Sequence, residues 1–485
     1  MGKKAGRSFW VPGLQKPAYI MIGIYVILVA SFYFLAGDQL HLRQSRGNLD
    51  MPEAESGTVE LVQGAVVEQK FSCEIQRLQR VNVQWGAFYR ANSGTVTMEL
   101  YNLQNRALLL SQSYDAAGIT EGGILSLTAP EPIEGLFKAP LLLRIYADSQ
   151  PGSAASPLMS WSKQGDDGFM LSLNGQASDG TLCFSASGED YIWTGLHYWQ
   201  FAAVGLAGLL AALGTVQYRV RQGKHSYVVN ALAAVQKYRF LIRQLVSRDF
   251  KTKYKRSVLG MFWSFLNPLL TMCVQYVVFS TIFRSDIPNY AVYLLVGIVS
   301  FNFFSEACGM ALTSIVGNAG LITKVYMPKY IYPLTRVMSS VVNLGISLIP
   351  LVLVALATGV RFQKSAILAF YFWMCLIIFS LGLGLLLSAA MVFFRDTQFL
   401  WGVMTMIWMY ATPIFYPESI LPEEFRFMLN INPIYHFLRN TRICILDGIS
   451  PEPAVYFYCL LMAACMLIVG AWVFRRSQDR FVLYL

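Results

Sequence analysis

Charge is scarce in this chain. Only 14% of its 485 residues are Asp, Glu, Lys or Arg, while 55% are hydrophobic. Soluble domains carry about 25% charged residues, so a water-soluble globule is excluded and a polytopic membrane protein is indicated. Other absences narrow the chemistry. No G-x-x-x-x-G-K-[ST] stretch occurs, so the chain has no Walker loop to cradle nucleotide phosphates. The eight cysteines include no CxxC pair, the four histidines stand alone, and no metal-ligand spacing is present. A net charge of +10 invites a nucleic-acid reading, but the charge is unevenly placed. Between Asp38 and Thr194 there are 10 Lys/Arg against 18 Asp/Glu, leaving 28 against 10 elsewhere. The basic excess sits in short loops between apolar runs, where it orients a membrane chain. Nucleic acid is not an expected partner.

What is present divides the chain into five parts. Residues 1–37 hold Lys3, Lys4, Arg7 and Lys16, then the apolar run Pro17–Ala36. A signal peptide would have a shorter apolar core and an A-x-A site; an uncleaved anchor with a cytoplasmic N-terminus is favoured. Residues 38–194 change character. Val96, Met98 and Leu100 alternate with Thr95, Thr97 and Glu99, a half-buried strand. Similar runs recur at Val81–Arg90, Ile124–Thr128, Leu141–Ala147, Phe169–Leu173 and Thr181–Ser185, separated by turn residues. An all-β sandwich or jelly roll follows. It contains no DxD, nucleophile elbow or H-E-x-x-H, and Asp166-Asp167 reads as a solvated turn. Its Trp and Tyr residues could stack on sugars or fill the core. Cys73 and Cys183 could pair if the domain faces an oxidising compartment. Residues 195–218 form a second span, preceded by the aromatic belt residues Trp193, Tyr198 and Trp199. Arg219, Arg221 and Lys224 mark its cytoplasmic exit, which puts residues 38–194 outside.

Residues 219–256 are a cytoplasmic linker and a basic helix. Lys237, Arg239, Arg243, Arg248, Lys251, Lys253, Lys255 and Arg256 surround one acid, Asp249. Tyr238, Leu241, Ile242, Leu245 and Val246 recur at helical spacing, so the helix has one apolar face and is expected to lie in the membrane interface. Charge then stops from Ser257 to Phe283, enough for a span. Residues 257–485 supply six spans, for eight in all, with both termini cytoplasmic. The loop 318–334 is cytoplasmic. The segment 416–447, broken by Pro417, Pro422 and Pro433, reads as re-entrant. Glu306 is the exceptional acid among the spans, expected to be paired, protonated or near an interface. No second intramembrane acid offers a proton relay, which argues against ion coupling.

Six blocks in this half resemble the permease subunits of bacterial type-2 ABC exporters of lipid-linked polysaccharide, such as O-antigen and teichoic acid. They are RDFKTKYKRSVLGMFWSFLNPLL at Arg248–Leu270, YLLVGIVSFNFFSEA at Tyr293–Ala307 and NAGLITKVYMPKYIYPL at Asn318–Leu334. FFRDTQFL at Phe393–Leu400, TPIFYPESILP at Thr412–Pro422 and LNINPIYHFLRNTR at Leu429–Arg442 follow in order. Typical members begin at the basic helix and lack the outer β domain. The resemblance implies a six-span exporter core in the plasma (inner) membrane of a bacterium, working as a homodimer. It implies two copies of a separate ATPase subunit that binds ATP and Mg, the chain itself having no cofactor and no catalytic role. The basic helix resembles a gate helix whose Arg243, Arg248, Lys251, Lys253, Lys255 and Arg256 attract a polyprenyl pyrophosphate-linked glycan. The loop 318–334 resembles the coupling helix, with Lys324, Tyr326, Met327, Lys329 and Tyr330 toward the ATPase.

Trp401, Thr405, Trp408 and Thr412 share one helix face, where rings stack on sugars and hydroxyls exchange hydrogen bonds; Trp263 and Phe265 are weaker candidates for the same translocation path. The alternative is that the stripe packs against a neighbouring span. Rival functions are export of a small hydrophobic compound, a membrane sensor with a ligand-binding ectodomain, and a membrane glycosyltransferase. The sensor lacks a C-terminal signalling domain and the transferase lacks acidic metal-binding motifs. The charge pattern makes a topological prediction. Ser93→Cys should react with a membrane-impermeant maleimide in intact spheroplasts; labelling seen only after lysis would reverse the topology.

Overall fold

The computed structural model describes residues 15–47, 49–161, 169–222, 237–253, 257–279, 287–322 and 327–484. The chain forms two compact units: residues 1–40 with 197–485, and residues 41–196. Lys255, Arg256, Lys324, Tyr326 and the Asp166-Asp167 turn lie outside the described residues.

The smaller unit is all-β among its described residues, apart from short helical turns. Its strands are β1 (Leu42–Ser45), β2 (Ser56–Gly57), β3 (Val66–Ser72), β4 (Arg77–Gly86), β5 (Thr95–Asn102), β6 (Ala107–Asp115) and β7 (Gly123–Glu134). They continue as β8 (Pro140–Ala147), β9 (Ser156–Ser160), β10 (Met170–Leu173), β11 (Gln176–Ser178), β12 (Thr181–Leu182) and β13 (Phe184–Tyr191). One sheet runs β1-β13-β4-β9-β12, with β7 on β4 and β2 on β9; the other runs β11-β10-β3-β8-β5-β6. The period-two pattern predicts this directly: Val96, Met98 and Leu100 are all fully buried, as are Leu141, Leu143 and Ile145 on the neighbouring strand. Phe71 from one sheet meets Phe184 from the other, ring centroids 5.0 Å apart, over the buried Trp85. Gln69 is fully buried between them. It avoids the penalty for an unpaired amide because its Oε1 accepts from Leu182 N at 3.0 Å and its Nε2 donates to Lys70 O at 2.9 Å. Cys73 and Cys183, for which pairing was one option, are both buried and carry free thiols. Burial pushes each thiol up to about 11, which makes both poor nucleophiles. Trp85 serves the core, whereas Tyr89 and Trp161 are exposed.

The larger unit is helical. Its main helices are α1 (Gln15–Ala36), α2 (Tyr198–Arg221), α3 (Arg239–Lys253), α4 (Phe262–Val277) and α5 (Tyr290–Leu312). The remainder are α6 (Ile331–Ala357), α7 (Ala369–Phe393), α8 (Thr397–Tyr410), α9 (Pro433–Arg442) and α10 (Pro453–Ser477). Six described helical stretches are long and apolar enough to cross a membrane, those containing α1, α2, α5, α6, α7 and α10. Of the eight spans expected, α4 and α8 are the two below this length, at 16 and 14 residues.

Lipid offers no hydrophobic drive for one helix to bury itself on another, so close packing and hydrogen bonds must do it. α5 and α7 are the most enclosed helices and form the centre. Trp373 of α7 donates through Nε1 to Ser300 Oγ of α5 at 3.0 Å. α7 and α10 meet through glycine: a Cβ built on Gly470 would collide with the carbonyl of Gly382. Gly470→Val should therefore part these helices and remove the protein from membranes, while Gly402→Ala, where nothing lies within 4 Å of the added carbon, should leave abundance unchanged. Quantitative membrane immunoblots read both.

Candidate functional site

The basic helix α3 carries two kinds of charge. Its apolar face is the predicted one, with Ile242 and Leu245 buried and Tyr238, Leu241 and Val246 half-buried against protein. That face packs on protein, not on lipid as the interfacial reading expected. Ile242 joins a cluster with Met327, Ile331 and Tyr332. On another side, Arg243, Arg248 and Lys251 lie along one open face of the helix together with Phe240, Gln244 and Ser247. Lys253 points elsewhere: its Nζ donates to Glu306 Oε2 of α5 at 2.9 Å. Glu306 also accepts from Asn343 Nδ2 of α6 at 2.5 Å, so the exceptional acid is paired.

Asp249 is enclosed, its side chain 5% exposed, between Arg248 at 3.0 Å and Arg336 of α6 at 3.1 Å. A buried carboxylate needs such partners to remain charged without a large penalty. Together these contacts tie α3 to both α5 and α6. Sequence reasoning missed Arg336 and Asn343; each is one polar residue in a helix, and spacing does not disclose a partner on a different helix.

In the loop 318–334, Met327 is buried and Tyr330 half-buried in the cluster below α3. Lys329 Nζ donates to Gln478 O at 2.6 Å and lies 5.8 Å from the Phe481 ring. These three described candidates for the ATPase contact thus engage their own chain.

The α8 stripe is brought together as the spacing requires, and it faces inward. Trp401 and Trp408 are half-buried and meet Phe304 of α5 edge-on, with centroids 5.9 and 5.2 Å away. Thr405 donates to Trp401 O at 2.8 Å. Trp408 Nε1 donates to Asn432 Oδ1 at 2.8 Å, and Asn432 Nδ2 donates to the buried Thr412 Oγ1 at 2.8 Å. These contacts are those of the packing alternative. Val403, Met404, Met406, Ile407 and Tyr410 form the exposed side of the same helix. Trp263, 42% exposed, and Phe265, stacked on Phe262 at 5.1 Å, lie on α4.

Just after α8 the chain leaves helix over residues 412–417, before short helical turns and the helix Arg426–Ile431, and its carbonyls need donors. Arg442 of α9 serves two of them. Its Nη1 donates to Pro413 O at 2.6 Å, and its Nη2 to Ile414 O at 2.8 Å and Tyr293 O at 3.2 Å. The guanidinium stacks 3.4 Å from the Tyr293 ring centre. Gly297 makes the room, since a Cβ there would come within 2.7 Å of Nη2. Tyr290 and Tyr293 hydroxyls donate to Phe415 O and Tyr416 O at 2.6 and 2.9 Å. Asn432 caps α9, accepting from Ile434 N and Tyr435 N; the Asn-Pro pair signals that cap in sequence. Nothing in the spacing around Arg442 announces its role.

This stretch, from α3 through the segment after α9, matches a family model. Residues 241–446 match the ABC-2 type transporter family. Over this stretch the chain is similar to that family. Similar curated proteins are the O-antigen export system permease protein RfbA of Klebsiella pneumoniae, 29% identical over 248 residues, and RfbA of Myxococcus xanthus, 27% identical over 256. The alignments cover 50% and 52% of this chain and 93% and 98% of those proteins. The polysialic acid transport protein KpsM of Escherichia coli is 22% identical over 246 residues, covering 49% of this chain and 93% of KpsM. The β unit lies outside the ABC-2 match.

Within the ABC-2 region, Arg442 makes the sharpest test of the geometry. Arg442→Met fills the same space but leaves the carbonyls of Pro413 and Ile414 without this donor, at about 1–3 kcal/mol each. Arg442→Lys, a single-point donor, should recover less than half of that loss. Thermal shift in detergent should rank native above Lys above Met; a Met variant as stable as native would remove the structural role.

Proposed function

We propose that the chain is the membrane subunit of an ABC exporter that carries a polyprenyl pyrophosphate-linked polysaccharide out of the bacterial cytoplasm. The observation that carries this reading is the basic face of α3, where Arg243 and Lys251 stand beside Arg248, itself paired with Asp249. A pyrophosphate has the charge and oxygen acceptors to suit such a cluster. The export permeases that the membrane half is similar to are named for O-antigen and polysialic acid, which supports a glycan as cargo. Two copies enclose the path in this reading. ATP is hydrolysed by a separate subunit docked at residues 318–334. The ion pairs of Lys253 and Asp249 hold α3 on α5 and α6, so a push at the loop reaches the entrance through α6, whose N-terminus adjoins the loop.

Deleting the gene should make a lipid-linked glycan accumulate on the inner leaflet, identified by mass spectrometry of extracted lipids; a deletion with an unchanged lipid-linked pool would overturn the reading. The double change Arg243→Gln with Lys251→Gln should slow export about a hundredfold at normal protein level, since each charge-assisted contact is worth roughly 1.5 kcal/mol. Replacing Lys324 and Tyr326 by Ala should abolish co-purification of the ATPase.

A further inference from the structure

We propose that the β unit carries a binding site for an anionic saccharide on the outer face of its seven-stranded sheet. This rests on the reading of the cargo as a glycan. The face is a depression of about 470 Å³, the size range of small-molecule sites. Its floor is built from short polar side chains in register across three strands. Asn82 of β4 stands opposite Ser126 of β7 and Ser185 of β13. Ser126 Oγ donates to Asn82 Oδ1 at 2.8 Å, and Asn82 Nδ2 donates to Ser185 Oγ at 3.3 Å. Asn is depleted in strands, because a pleated surface favours branched and aromatic side chains. Placing this row on central strands sacrifices strand preference for a polar hollow that longer residues would fill.

The rim supplies charge. Arg80, exposed at the next outward position of β4, and Arg46 both line the depression, and no carboxylate does. This is unusual for the surroundings, because residues 38–194 carry 18 acids and 10 bases. Several other bases in the unit are matched. Arg77 bonds Glu189 and Glu134, Arg144 faces Glu68 and Lys138 faces Glu74. Arg80 forms no ion pair among the described residues, and the contact of Arg46 with Asp50 is long at 3.9 Å between two exposed side chains. Two arginines beside amide and hydroxyl groups, with Ile124 and Met51 as apolar flanks, match a sugar ring that bears a carboxylate or phosphate. Arginine grips the oxyanion with paired N–H groups. Asn and Ser exchange hydrogen bonds with ring hydroxyls.

The test uses the full chain in lipid nanodiscs without an ATPase, so that it is independent of export. Saturation-transfer NMR is run with methyl glucuronoside, sialic acid and a mannose phosphate, and with methyl glucoside as the uncharged control. At least one anionic sugar should bind saturably, at least tenfold more tightly than methyl glucoside. Arg80→Gln with Arg46→Gln should lower that affinity at least tenfold; both residues are on the surface, and an unchanged melting temperature verifies the fold. Ser185→Leu, which fills the floor, should abolish binding; Ser187→Ala at the edge should not. No preference for any anionic sugar, or unaltered binding in the double Arg variant, overturns the site. Inorganic phosphate competing as well as the phosphosugar would show an oxyanion hook alone and overturn the saccharide. If instead export continues in cells carrying the double Arg variant while binding is lost, the site stands as one separate from the export step. If the deletion strain shows no glycan accumulation while binding persists, the cargo reading fails and the site remains.

Discussion

The break in the membrane unit after α8 depends on one buried guanidinium. Where α8 ends, the chain runs through Thr412–Tyr416 without helical structure, and backbone carbonyls in a low-dielectric interior must find donors. Arg442 reaches two of them from α9, at Pro413 and Ile414, and also the Tyr293 carbonyl of α5, with the Tyr293 ring beneath it. The arrangement explains several residues at once. Gly297 keeps a space for the guanidinium, Tyr290 and Tyr293 serve two more carbonyls, and Asn432 closes the start of α9 while holding Trp408 and Thr412. A hydrophobic side chain could fill the volume of Arg442 but could not supply five N–H groups in a planar fork.

The contacts of α3 are organised by a different economy of charge. α3 is strongly basic, yet its acidic and basic groups have separate assignments. Asp249 and Lys253 turn toward the core, where they meet Arg336 and Glu306. Arg243 and Lys251 remain on the open face. The first set makes α3 part of the same packed body as α5 and α6; the second leaves positive potential available. A helix with only the second set would be an orienting flank of a span, and it is the pairing with Glu306 and Arg336 that makes it a structural partner of the bundle.

The β unit follows ordinary sandwich physics, with alternating strands and a core of Phe71, Trp85 and Phe184. Its departures from that pattern are local. Gln69 sits in the core and needs two hydrogen bonds to be there, and Asn82 with its serine neighbours occupies the outer face where branched residues would normally stand. Free thiols at Cys73 and Cys183 mean that this core holds without a crosslink.

Much of this was legible in the sequence, for reasons that belong to each pattern. Apolar runs of membrane length, the period-two strands from Val81 onward and the apolar face of α3 depend on local spacing alone, and solvent or lipid imposes the same spacing wherever it occurs. The face shared by Trp401, Thr405, Trp408 and Thr412 was likewise determined by helical periodicity. What that face touches was not. Only the tertiary structure turns it onto Phe304 and Asn432, frees Met404 and Tyr410 instead, and directs Lys329 to the backbone of Gln478. The partners of Arg442, Glu306 and Asp249 belong to the same class. Periodicity describes the environment around one helix axis, whereas a buried charge is settled by groups tens to hundreds of residues away, and the chain's path in three dimensions alone decides which of them arrive.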